Sequence, residues 1–166
     1  MVEMLKDQKY LLTIFNTHKV RYLIVGAHAV GVHSEPRGTK ELDIFIEASP
    51  ANSEAVFAAL AEFGAPLTGM TPADFNDSPG SVFQMGVPPS RVDILQKIEG
   101  VNFSEAWEHR IETFIAHGIP TQVISADDIV KNKLAVARPQ DLIDVERIRE
   151  AEQARRKDQA PPRSES

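Results

Sequence analysis

The sequence lacks cysteine altogether, which excludes both a disulfide framework and a thiolate metal site. It lacks an apolar run of membrane-spanning length. Its opening, MVEMLKDQKYLLTIF, mixes charges among its apolar residues, so the unbroken apolar stretch and small-residue cleavage site of a signal peptide are missing. These absences predict a soluble, cytoplasmic protein with no membrane partner. Positive charge is short as well: 18 Lys and Arg stand against 24 Asp and Glu, a formal net charge of −6. Arg155, Arg156, Lys157 and Arg163 all fall near the C-terminus, so the body of the chain is more acidic than the whole. Such a body repels a long nucleic-acid backbone unless a local basic patch intervenes. It suits a small anionic substrate whose charge is met by a divalent metal ion. No internal repeat is visible. What is present is a hydrophobic content of 42% over 166 residues, enough for one domain with a core of its own. We place that domain at residues 1–152 and read 153–166 as a polar, proline-containing tail expected to be disordered.

The pattern along the chain alternates strands and helices. Residues 3–18 carry Leu5, Leu11, Leu12 and Phe15 at roughly helical spacing. VRYLIV at 20–25 reads as a buried strand that Gly26 ends, and 27–33 as a short helix. Glu35-Pro36-Arg37-Gly38 is a loop. LDIFI at 42–46 reads as a second strand. Ser49 then caps a helix that starts at Pro50 and closes at Gly64. Residues 66–80 read as mostly loop, with a short helix beginning at Thr71. Two strands, 81–85 and 91–96, form a hairpin. A helix is expected at 103–109, strands at 111–116 and 121–124 around Gly118, and helices at 126–137 and 139–152. Ser125 and Asp128 have the spacing of a capping arrangement.

The acids carry the chemistry. Glu41 and Asp43 open the second strand at i and i+2, a spacing that puts both on one face. Two carboxylates so placed make half a cage for a hard divalent cation. A third, Asp93, sits between apolar neighbours in RVDIL, where an unpaired charge is costly to bury. Asp93 needs a partner. A shared metal ion would serve, and so would an Arg or Lys, or a solvated strand face.

With these residues in place, YLIVGAHAVGVHSEPRGTKELDIFI resembles the signature of the nucleotidyltransferase superfamily: a glycine turn, a short helix, then two alternating acids on the next strand. The surroundings are similar to its minimal nucleotidyltransferase and abortive-infection toxin branch. Arg37-Gly38-Thr39-Lys40-Glu41-Leu42-Asp43 matches that branch's Arg-x-Thr-x-Asp-x-Asp run except at Glu41. RVDILQKIEGVNFSEAW resembles the third-carboxylate strand, and NKLAVARPQDLIDVERI the C-terminal helices.

The resemblance implies an α/β (α+β) fold, a small mixed sheet flanked by helices with further helices at the C-terminus. It implies transfer of a nucleoside monophosphate from a nucleoside triphosphate, ATP among the candidates, to an acceptor hydroxyl on a tRNA, a protein or a small molecule. Two Mg2+ ions, with Mn2+ as a substitute, would sit on Glu41, Asp43 and Asp93 as both metal ligands and catalytic groups. Gly26 and Ala27 would offer backbone N–H groups to the phosphates, and Lys133 would reach the triphosphate. The toxin branch adds an antitoxin as a partner.

Two positions depart from the pattern. Ala27 stands where Gly or Ser is usual, and Glu41 where Asp is usual, lengthening one ligand by a methylene. These support an alternative, a degenerate nucleotidyltransferase fold that binds a nucleotide or a protein without catalysis; a third reading is a structural α/β module with salt-bridged acids. Arg37 and Lys40 are candidates for the phosphate path, against the plainer reading of solvated loop cations. For Lys133 the plain reading is a solvated helix cation. Arg138, Asp141 and Asp144 are spaced i, i+3, i+6; a local Arg–Asp pair is expected for Asp144, and the other two stay open between pairing and the site. His28 and His33 read as structural, and Trp107 as core.

Overall fold

The computed structural model describes residues 5–77, 81–116 and 118–159. It is a mixed α/β fold, with six strands in one sheet, six α-helices and one 3-10 turn among the described residues. The elements run α1 (Lys6–Thr17), β1 (Tyr22–Val25), α2 (Gly26–His33), β2 (Leu42–Ile46) and α3 (Pro50–Phe63). The 3-10 turn Pro72–Phe75 follows, then β3 (Val82–Met85), β4 (Val92–Leu95), α4 (Phe103–His109), β5 (Ile111–Ala116), β6 (Ile119–Val123), α5 (Ala126–Val136) and α6 (Pro139–Gln159). No helix among the described residues is long and apolar enough to cross a membrane.

The strand order is β3-β4-β2-β1-β6-β5. β1 pairs antiparallel with β2, while β2–β4 and β1–β6 are parallel. The two outer pairs, β3–β4 and β5–β6, are antiparallel hairpins. β1 lies centrally and all four of its residues are buried, the unbroken apolar run of a strand covered on both faces. Pro120 is tolerated inside β6 because the pairing with β1 falls at Ile24 and Val123, beyond the proline, where a missing N–H costs no ladder bond to β1.

Local chemistry fixes the helix ends. The Ser49 hydroxyl accepts from the Asn52 N–H at 3.2 Å, Pro50 takes the first turn, and Gly64 closes α3 in the left-handed region at φ 94°. Ser125 caps α5 through the Asp128 N–H at 3.1 Å. α1 is held by Leu11, Leu12 and Phe15, all without exposed surface; each contributes about 2 kcal/mol of burial, which outweighs the few tenths that its surface positions can add. Trp107 packs at the rim of the core, its ring stacked on Phe103 at 5.8 Å with the Arg110 guanidinium 3.8 Å above it.

One boundary differs from the sequence reading. The polar tail was expected to begin at Gln153, yet α6 continues to Gln159. Arg155 gives the reason: its guanidinium donates to the His33 carbonyl at 2.7 Å and ties the last turns of α6 to the end of α2. The rest of the expected tail, 160–166, lies outside the described residues.

Candidate active site

The site forms where β1 passes straight into α2. Gly26 makes that turn at φ +68°, a conformation that costs an L-residue roughly 1–2 kcal/mol. It is required for a second reason. A Cβ built on Gly26 would collide with Oδ2 of Asp43 and lie about 3 Å from two further atoms of that side chain. The Asp43 carboxylate therefore rests against the bare Cα at the start of α2.

Parallel pairing of β2 with β4 sets Asp43 directly opposite Asp93. The Glu41 backbone lies one residue ahead of β2, its N–H donating to the Thr39 hydroxyl at 3.2 Å. The three acids that the sequence singled out are thus brought to one end of two neighbouring strands. The electrostatics record their crowding. The Asp43 carboxyl is pushed up to about 6, first by burial and then by the charges of Asp93 and Glu41; Arg91 and Lys133 pull the other way without overcoming them.

Arg91 was not singled out from the sequence. Its Nε stands 2.8 Å from Asp93 Oδ1, off the hydrogen-bond direction, so both buried atoms lack a directed partner. Nη2 donates to Asp93 Oδ2 at 3.2 Å. The contact is a charge pair and not a well-formed bidentate fork. An Arg two residues from an Asp on a strand was the signal that could have found it.

The cations beside the acids form a second cluster. Lys133 Nζ lies 3.2 Å from Asp141 Oδ1 and 3.3 Å from Asp144 Oδ2. Its side chain is 12% exposed, so it is no solvated helix cation. The local partner expected for Asp144 is also corrected. Asp144 does not pair with Arg138; it takes Lys133 and, from the loop before β2, Arg37 Nη1 at 3.0 Å. Gln140 donates to the same carboxylate oxygen. The reason is burial: Asp144 is 1% exposed and faces inward, where the α2–β2 loop meets α6, whereas Arg138 is on the outside. Asp141 does take the local pair, with Arg138 Nε at 2.8 Å and the Arg138 N–H at 3.1 Å. These bonds hold the Asp141 carboxyl down at about 2, Arg138 first, against the opposing effect of burial.

The remaining candidates scatter. Lys40 is exposed, and its carbonyl accepts from Gln8; no ion pair of its side chain is seen among the described residues. Ala27 is half-buried in the first turn of α2. His33 is buried and bonds the Ile124 carbonyl through Nε2 at 2.6 Å. His28 is buried with neither ring nitrogen partnered among the described residues. Burial holds both imidazoles below their ordinary pKa.

Among the described residues no group of three or more His, Asp or Glu is placed to hold a metal ion; two carboxylates, Asp43 and Asp93, stand level across β2 and β4. An open set is what Mg2+ takes, since it is held by one or two carboxylates and keeps waters and substrate phosphates for its other positions. The raised Asp43 carboxyl shows negative charge that Arg91 and Lys133 do not overcome, while Asp93 Oδ1 faces the Arg91 guanidinium at 2.8 Å without a directed hydrogen bond. Two carboxylates so placed are of the kind that a divalent cation takes when waters and phosphates fill its other positions.

The family described as nucleotidyltransferase of unknown function (DUF6036) matches residues 3–152. No curated protein matches the chain.

Proposed function

Because the chain belongs to this nucleotidyltransferase family, we propose that it moves a nucleoside monophosphate from a nucleoside triphosphate to an acceptor hydroxyl, with Mg2+ as its cofactor. The observation that carries the reading is the register of Asp43 with Asp93 beside the Gly26 turn. It puts paired carboxylates against the first backbone N–H groups of a helix, and those groups favour phosphate.

Glu41, Asp43 and Asp93 would hold the divalent cation. When bound, it supplies charge stabilisation to the triphosphate and acidifies the acceptor hydroxyl. The protein's own part is as follows. The N–H groups of Gly26 and Ala27 receive phosphate oxygens. Lys133 and Arg37, fixed by Asp144, meet the charge of the two outer phosphates. Asp93 takes the proton as the acceptor oxygen bonds to the α-phosphorus. The bond from that phosphorus to the bridging oxygen breaks, and pyrophosphate leaves.

The acceptor is a tRNA end, a protein hydroxyl or a small molecule. The net charge of −6 weighs against a large RNA footprint. The toxin resemblance points to growth arrest on expression, relieved by an antitoxin partner. The test is transfer of label from α-labelled triphosphates into a cell extract at saturating Mg2+, wild type against Asp43→Asn. Labelling by the wild type alone supports the reading. Nucleotide binding without labelling favours the second reading, a binding module, which Ala27 and the position of Glu41 ahead of β2 make specific.

A further inference from the structure

Four charged residues, Glu41, Asp43, Arg91 and Asp93, come to the edge shared by β2 and β4. The Leu42 N–H donates to the Arg91 carbonyl at 3.0 Å, and Asp43 is level with Asp93. The same register carried back one step sets Glu41 beside Arg91. Positions i and i+2 of a strand share a face, so Arg91 and Asp93 stand alongside Glu41 and Asp43. Among the described residues, Arg91 is the one cation in ion-pair contact with any of these acids. Lys133, the other cation nearby, is already shared between Asp141 and Asp144.

The pair is partly buried, its closest atoms, Arg91 Nε and Asp93 Oδ1, fully so. Arg91 is 30% exposed and Asp93 15%, and the shorter of its two contacts is poorly directed. A pair so poorly directed is held less firmly than a bidentate fork. A divalent cation at the three acids would compete for the same oxygens of Asp93 and would be repelled by the guanidinium.

Resting on the reading that these acids hold a divalent cation, we propose that Arg91 is an exchangeable counter-ion for Asp93. It neutralises the third carboxylate when no cation is present and is displaced when one enters. It thereby holds down the affinity for free cation. The released guanidinium gains a new partner only when the cation arrives with a phosphate, so cation and triphosphate bind cooperatively. Arg91 is a positioning residue, acting through Asp93.

The test is calorimetric titration of the whole, nucleotide-free protein with Mn2+, comparing wild type with Arg91→Met and Arg91→Lys. Arg91→Met is expected to bind Mn2+ about tenfold more tightly, since a repelling unit charge is removed from the site; Arg91→Lys should fall between the two. In EDTA, Arg91→Met should lower Tm, and this loss should disappear in the Asp93→Asn background. Unchanged or weaker Mn2+ binding in folded Arg91 variants overturns the counter-ion role while leaving the metal reading standing. Absence of Mn2+ binding in wild type and variants alike, with the EDTA coupling intact, overturns both and leaves a plain ion pair. If Arg91→Met does not fold, the comparison with Arg91→Lys decides in the same way.

Discussion

Asp43 and Asp93 are cross-strand partners on adjacent parallel strands, two carboxylates level with each other at the edge where Gly26 starts α2. Like charges so placed destabilise a sheet. The arrangement costs the folded protein stability, a cost that the proposed cation would offset.

Asp43→Asn is therefore expected to raise the Tm of the EDTA-treated protein by a few degrees, because it removes a buried charge that its neighbours repel. The same substitution should weaken Mg2+ or Mn2+ binding at least tenfold. Differential scanning calorimetry and titration calorimetry measure the two effects. A fall in Tm would show that Asp43 is stabilising in the absence of metal.

Gly26→Ala should destabilise by about 2 kcal/mol or more, since it combines an unfavourable positive φ with a clash against the Asp43 carboxylate. Urea denaturation at constant m-value measures it. A loss below about 0.5 kcal/mol would mean that Asp43 swings aside freely.

Asp141 gives a pH signature. Its carboxyl is held down at about 2 by Arg138 and Lys133. A depressed carboxylate contributes stability that is complete above its unfolded pKa of about 4 and is lost as pH falls through the folded value. Asp141→Asn should therefore lower Tm at pH 7, and the gap between wild type and variant should narrow from about pH 4 down to about pH 2. A gap independent of pH would assign the loss to packing.

Glu41 decides between enzyme and binding module. Its backbone lies ahead of β2, and its charge is among those that push the Asp43 carboxyl up. If the site is active, Glu41→Asp withdraws the carboxylate and should lower labelling of the extract by about tenfold or more. A silent wild type beside an active variant would overturn the enzyme reading.

Much of this was legible in the sequence because the relevant signals are local. Ser49-Pro50 and Gly64 bracket α3 through capping chemistry within a turn of each end. Gly26 and the i, i+2 acids mark the strand edge by backbone demands that act over a few residues. Pairing across the sheet is not local: the apolar flanks of Asp93 and the hairpin before it point to a strand beside β2, as β4 is, but the rest of the strand order follows from packing of the whole core. The partner of Asp144 was misjudged for the same reason. Helical spacing points to Arg138, but Arg37, 107 positions away, is the residue that reaches the buried carboxylate. α6 was cut short because its polar composition resembles a tail, while the bond that orders it is made to His33 on α2.

The Arg37–Asp144 pair also bears on when the protein can work during its own synthesis. The loop that supplies Arg37 is made early, yet the carboxylate that fixes it, together with Lys133, belongs to the last helix. A growing chain that already carries Gly26, Glu41, Asp43 and Asp93, with Arg91 on Asp93, still lacks the buried carboxylate that fixes Arg37 and Lys133. On the proposed function, nucleotide capture would be deferred until translation has passed Asp144 and α6 has docked, and an interrupted polypeptide ending before that point would be inert.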